Sequence, residues 1–158
     1  MCIRDRKKAV QLFVTALLVT CVVFVFAGCI DNKEKTYVEQ YTQITADLND
    51  EIGNISNLDT STVEGFQEFL DMIDSIDEQI HKLADLDPPE KFQEAQECYR
   101  TASKGITEAN EIFQSLDPEA VLSGDENAYS QYVDALNKYM EACDELQKGD
   151  DAINAANK

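Results

Sequence analysis

The chain has 158 residues, with 13 basic residues against 31 acidic ones, a formal net charge of −18 and a single histidine. That length is one domain's worth of chain. The charge argues against nucleic-acid binding, which needs basic patches to meet phosphates, and the lone histidine rules out metal sites built from several imidazoles.

The first six residues, Met1 to Arg6, resemble the translation of a transposon-type sequencing adapter and are set aside as foreign. Lys7 and Lys8 then precede an apolar run from Ala9 to Ala27 that holds one amide, Gln11, and no charge. A basic flank followed by such a run predicts an export segment over 1–28. The run ends Phe26-Ala27-Gly28-Cys29. This ending resembles the lipobox of prokaryotic lipoproteins, which implies cleavage before Cys29 and a lipid on its thiol. Ala27 and Gly28 supply the small residues that the resemblance requires, while Phe26 departs from the usual Leu or Val. The alternative is an uncleaved membrane span, since about 20 apolar residues cross a bilayer. Both alternatives place the rest of the chain on the outer face of the cytoplasmic membrane, with the lysines inside.

From residue 29 onward, 9 basic and 30 acidic residues remain, a net charge of −21. Residues 29–32 read as a lipidated tether and 33–158 as an acidic, all-α domain. Apolar residues recur at helical spacing in four segments. The first, over about 33–57, carries Tyr37, Tyr41, Ile44, Leu48, Ile52 and Ile55. The second, over about 62–86, carries Val63, Phe66, Leu70, Ile73, Ile76, Ile80 and Leu83. The third, over about 88–116, carries Phe92, Ala95, Tyr99, Ala102, Ile106, Ala109, Phe113 and Leu116, and its alanines invite a neighbouring helix to approach closely. The fourth, over about 125–155, carries Tyr129, Tyr132, Val133, Leu136, Tyr139, Met140, Cys143, Leu146 and Ile153.

Helix starts are predicted at Ser61 and Ser123, each followed by Glu three residues on, and at Asp87 before Pro88. Short connectors make sequential helices antiparallel, so the expected fold is an up-down-up-down four-helix bundle with a short helical turn over 118–122. The Pro-Pro helix start at Pro88-Pro89 resembles small uncharacterised helical lipoproteins, which implies a helical fold and no activity.

Two cysteines remain in the exported part. Cys98 lies 18 residues before Leu116 and Cys143 lies 18 after Asp125, which would set them level in an antiparallel hairpin. A Cys98–Cys143 disulfide is therefore expected, contributing about 2–4 kcal/mol. The alternative is a pair of buried thiols.

Catalytic chemistry is harder to find. Glu78-Gln79-Ile80-His81 matches one Glu-x-x-His motif, but a carboxylate-bridged metal bundle needs two. Neither cysteine has a neighbouring base, and no phosphate loop or nucleophile elbow is present. The expectation is thus no enzyme, no cofactor and no metal. The leading function is partner binding or an envelope role through an unidentified protein, with the membrane engaged through the lipid on Cys29. The alternative is a small-molecule or metal-ion binder whose cleft is lined by Tyr129, Tyr132 and Tyr139.

Overall fold

The computed structural model describes residues 31–55 and 57–157, and all its regular elements are helical. They are α1 (Asn32–Ile55), α2 (Val63–Ala84), α3 (Gln93–Gln114), α4 (Pro118–Ser123) and α5 (Glu126–Ala156), with a 3-10 turn at Glu90–Phe92 leading into α3. The four long helices form the expected antiparallel bundle, and α4 is the short helix anticipated in the third connector. Phe26, Ala27, Gly28 and Cys29 lie outside the described residues.

Side-chain bonds between helices fix the alternation of direction. Glu51 of α1 pairs with Ser75 of α2, and Asp77 and Asp74 of α2 meet Thr107 and Asn110 of α3 in descending order. Tyr41 of α1 reaches Asp150 near the far end of α5.

The predicted apolar stripes form one core. All eight positions of the third stripe are buried. Three predicted core residues are exposed instead: Val63 (39 %), Val133 (36 %) and Met140 (48 %). Val63 is the first residue of α2. Val133 and Met140 each follow a buried tyrosine, Tyr132 or Tyr139, and one residue turns the helix by about 100° away from the core.

The closest helix pair is α3 and α5, and small residues explain it. Ala95, Ala102 and Ala109 recur every seventh residue on α3, and all are buried. Their partner is a second small-residue series on α5 at the same period, Ala128, Ala135, Ala142 and Gly149, hidden in the sequence between the larger tyrosine and leucine positions. With little side chain between them the backbones approach closely, as small-residue interfaces allow. A Cβ built on Gly105 would lie 3.0 Å from that of Ala142, and one on Gly149 would run into the Tyr99 ring. Gly149→Ala is therefore expected to destabilise the bundle by about 1–3 kcal/mol through overpacking. Urea unfolding would read this as a lower midpoint, and an unchanged midpoint would show that Tyr99 has room to move.

α1 attaches differently. Its backbone comes close chiefly to α2. It reaches α3 and α5 through long side chains, with Tyr37 stacked on Phe92 at 5.3 Å and Tyr41 tilted against Tyr99 at 5.9 Å.

Single side chains set the starts of α1, α2 and α5, the last two displaced from their predicted positions. Asp31 Oδ1 accepts from Glu34 N at 2.8 Å and begins α1. Thr62, not Ser61, caps α2 by accepting from Gly65 N, while the Ser61 hydroxyl turns back to Asp59. Asp125, not Ser123, caps α5 by accepting from Ala128 N. Gly124 between them adopts φ 87°, the left-handed geometry that ends α4 and that a side chain would strain. Asp87 caps no helix and instead pairs with Lys33 at 2.9 Å.

Candidate functional site

Two polar systems run through the bundle. The first lies near the start of α1. Asp150 is 3 % exposed, and its Oδ1 accepts from Tyr41 at 2.6 Å and from Tyr99 at 2.7 Å. A buried carboxylate requires such donors, because an unpaired charge there is costly. Burial pushes the Asp150 carboxyl above the ordinary range, against the downward pull of the two hydroxyls. Burial, reinforced by the facing carboxylate, also raises both tyrosines, so their protons stay in place. One layer away, the buried Gln96 amide donates to the carbonyls of Leu83 and Ala84 and closes the open end of α2, while its oxygen accepts from Tyr37 at 2.9 Å.

The second system is a seam between α2 and α3. Gln96, Ser103 and Asn110 are spaced by seven, one position after the alanines, so they line one edge of the α3 core face. Asn110 donates to Asp74 at 2.9 Å and Asp77 at 3.2 Å, and Gln114 donates to the Leu70 carbonyl at 2.9 Å. Thr107 Oγ1 donates to Asp77 at 2.9 Å and lies 2.9 Å from His81 Nε2, and Ser103 Oγ lies 3.1 Å from His81 Nδ1.

The set His81, Thr107 and Asp77 has the residue types of a nucleophilic triad but the wrong order. Asp77 Oδ1 and Thr107 Oγ1 both lie on the Nε2 side of the ring, at 3.6 and 2.9 Å, while Nδ1 faces Ser103, so the carboxylate does not orient the imidazole from the opposite nitrogen as a triad requires. The arrangement holds two helices in register. His81 is half exposed, as a boundary histidine should be.

Of the three tyrosines that could line a cleft or pack in the core, Tyr132 and Tyr139 are core residues and Tyr129 packs at its edge. Tyr139 is fully buried against Phe113 at 6.5 Å, and Tyr132 packs on Phe66 at 5.7 Å and Phe113 at 6.0 Å. Tyr129 is partly buried and rests on Tyr132 at 6.4 Å. A cavity of about 540 Å³ opens elsewhere, lined by Lys33, Asp87, Pro88, Gln93, Glu94, Glu97 and Arg100. Its cations are already paired, Lys33 with Asp87 and Arg100 with Glu97 at 3.5 Å. Among the described residues no three His, Cys, Asp or Glu side chains converge to hold a metal ion.

The expected disulfide is not formed: Cys98 and Cys143 are free thiols. Helix register explains the difference. Tyr99 faces Gly149 and Gly105 faces Ala142, so the level of Cys98 on α5 falls near residue 150. Cys143 lies about two turns away, roughly 10 Å along the axis, beyond the reach of a bridge. The symmetric-hairpin assumption failed because the first two turns of α5 project past the end of α3, in the space that α4 closes. Burial pushes the Cys143 thiol up to about 12, and burial with Glu145 and Glu94 nearby raises Cys98. Both thiols are therefore expected to react slowly with iodoacetamide at pH 8 in the folded protein and rapidly in urea without reductant. A pair that stays unreactive in urea until reduced would show a bridge.

The exposed large apolar side chains among the described residues are Val63, Val133 and Met140. Val133 and Met140 lie seven residues apart on one face of α5. None of its described helices is long and apolar enough to cross a membrane. No protein-family model matches the chain, and no curated protein or solved structure does either.

Proposed function

We propose that the chain is a membrane-anchored extracytoplasmic lipoprotein whose helical bundle acts by binding a protein partner or in an envelope role, not by catalysis. The observation that carries the anchoring half is the place where α1 begins. Asp31 caps α1 only two residues after Cys29, so this helix starts close to the lipidation position. That arrangement suits a domain held at a bilayer surface. The binding half is supported by the exposed Val133 and Met140 on one face of α5 and by the placement of Asp77 and Thr107 on the same ring nitrogen of His81, which is not the order of a catalytic triad.

The test of the anchor is the intact mass of the protein extracted from its own membranes. The expected result is a chain beginning at Cys29 with a lipid adduct. A mass that retains residues 7–28 would replace the lipid with a membrane-spanning anchor. A mass lacking both the apolar run and any adduct would overturn anchoring altogether.

A further inference from the structure

Resting on the membrane-anchored reading, we infer that the bundle stands end-on above an anionic bilayer, held upright by a lengthwise polarity of charge. The polarity follows from the helix register. Residues 31–48, 78–106 and 141–157 form the half of the bundle next to Cys29, marked by the Tyr41, Tyr99 and Asp150 contacts. Residues 49–77 and 107–140 form the far half, marked by the Glu51–Ser75 and Thr107–Asp77 contacts.

The near half carries fifteen acidic and seven basic residues, a net charge of −8. The far half carries fifteen acidic residues and one basic residue, a net charge of −14. The same near end is tied together by cations. Lys33 joins the start of α1 to Asp87 in the α2–α3 turn, and Lys91 joins that turn to Glu34 on α1 and to Asn157 after α5.

Geometry and screening then set the orientation. Ile30 and Asp31 span at most about 10 Å between the anchor residue and α1. The start of α1 is thus held at the surface whichever way the bundle leans. Lying flat brings the far half, with its net charge of −14, within a Debye length of the headgroups, about 8 Å at physiological salt, where like charges repel. Standing upright moves the centre of that half out to roughly 30 Å, where screening is nearly complete. Val133 and Met140 then face outward from the far half, beyond the headgroup layer.

The test is neutron reflectometry on the full protein, extracted from its own membranes and reconstituted into supported bilayers. One bilayer contains 30 % phosphatidylglycerol and the other is pure phosphatidylcholine. Upright bundles give a protein layer about 45 Å thick, the length of α5, whereas flat ones give about 20–25 Å, two helix diameters. The expected result is the thick layer on the anionic bilayer and a thinner one on phosphatidylcholine or in 1 M salt. A thin layer on the anionic bilayer overturns the inference. A thickness that ignores both lipid charge and salt also overturns it, because charge would not be the cause. The intact mass of the same sample identifies the anchor separately, so loss of the lipid reading and loss of the orientation are distinguishable.

Discussion

Phe113→Ala is expected to destabilise the bundle by about 3–5 kcal/mol, the range for emptying a buried aromatic site. Phe113 is fully buried in the last turns of α3. Its ring meets Phe69 edge-on at 5.8 Å and packs on Tyr132 and Tyr139, so one side chain joins α2, α3 and α5. Above this level α1 and α3 have ended, and α4 with the first turns of α2 and α5 encloses the core. Few neighbours remain that could collapse into the space, which places the cost toward the upper end. Urea unfolding monitored by far-ultraviolet circular dichroism would measure the loss. A change below about 1 kcal/mol would mean that this end of the bundle is loosely packed.

A second large effect is expected at Asp150, where two substitutions separate charge from hydrogen bonding. Asp150→Ala removes the acceptor shared by Tyr41 and Tyr99 and strands two buried hydroxyls, for a loss of about 2–5 kcal/mol. Asp150→Asn keeps an oxygen for the tyrosines and discards the buried charge, so it is expected to be far milder. The two variants also differ from the wild type in their response to pH. Burial raises the folded carboxyl above its unfolded value, so ionised Asp150 works against folding at neutral pH. As pH falls through the folded value toward the unfolded one, the folded state takes up the proton first and the wild type gains stability. The stability of Asp150→Asn relative to wild type should therefore be most favourable at pH 7 and decline toward pH 4. Repulsion among the other acidic residues is common to both proteins and largely cancels in the difference. Thermal melts of both proteins over that range would decide the matter, and a difference that does not vary with pH would show that Asp150 is not held above its ordinary value.

The periodicity of apolar residues was enough to place the four long helices within a few residues of their ends, because each buries a face broad enough to dominate its segment. Register was not legible. The Cys98–Cys143 expectation assumed a symmetric hairpin, and the actual offset depends on Gly149 opening beside Tyr99 and on α4 occupying one end. The polar systems were also missed, although two carried a signal. Asp150 lies four residues after Leu146 and three before Ile153, a core position filled by a carboxylate. Gln96, Ser103 and Asn110 shadow the alanine series at the same period. A polar residue at core spacing is uninformative until its partner is known, and here the partners Tyr41, Asp74 and Asp77 lie on other helices. The tyrosines of α5 illustrate the converse: their spacing fits a cleft or a core, and only the phenylalanines of α2 and α3 packed against Tyr132 and Tyr139 decide for the core.

The unequal attachment of the helices has a mechanical consequence. The chain's amino-terminal side enters the bundle through α1, the helix held by side chains more than by close backbone packing. A load between that end and the far half acts along the helix axis. It is therefore carried in shear, with Tyr37, Tyr41, Leu48, Ile52 and Ile55 resisting together, whereas a sideways pull would peel them off one turn at a time. The close α3–α5 pair behind them would stay intact after α1 had slipped, so extension under force should begin with a single helix.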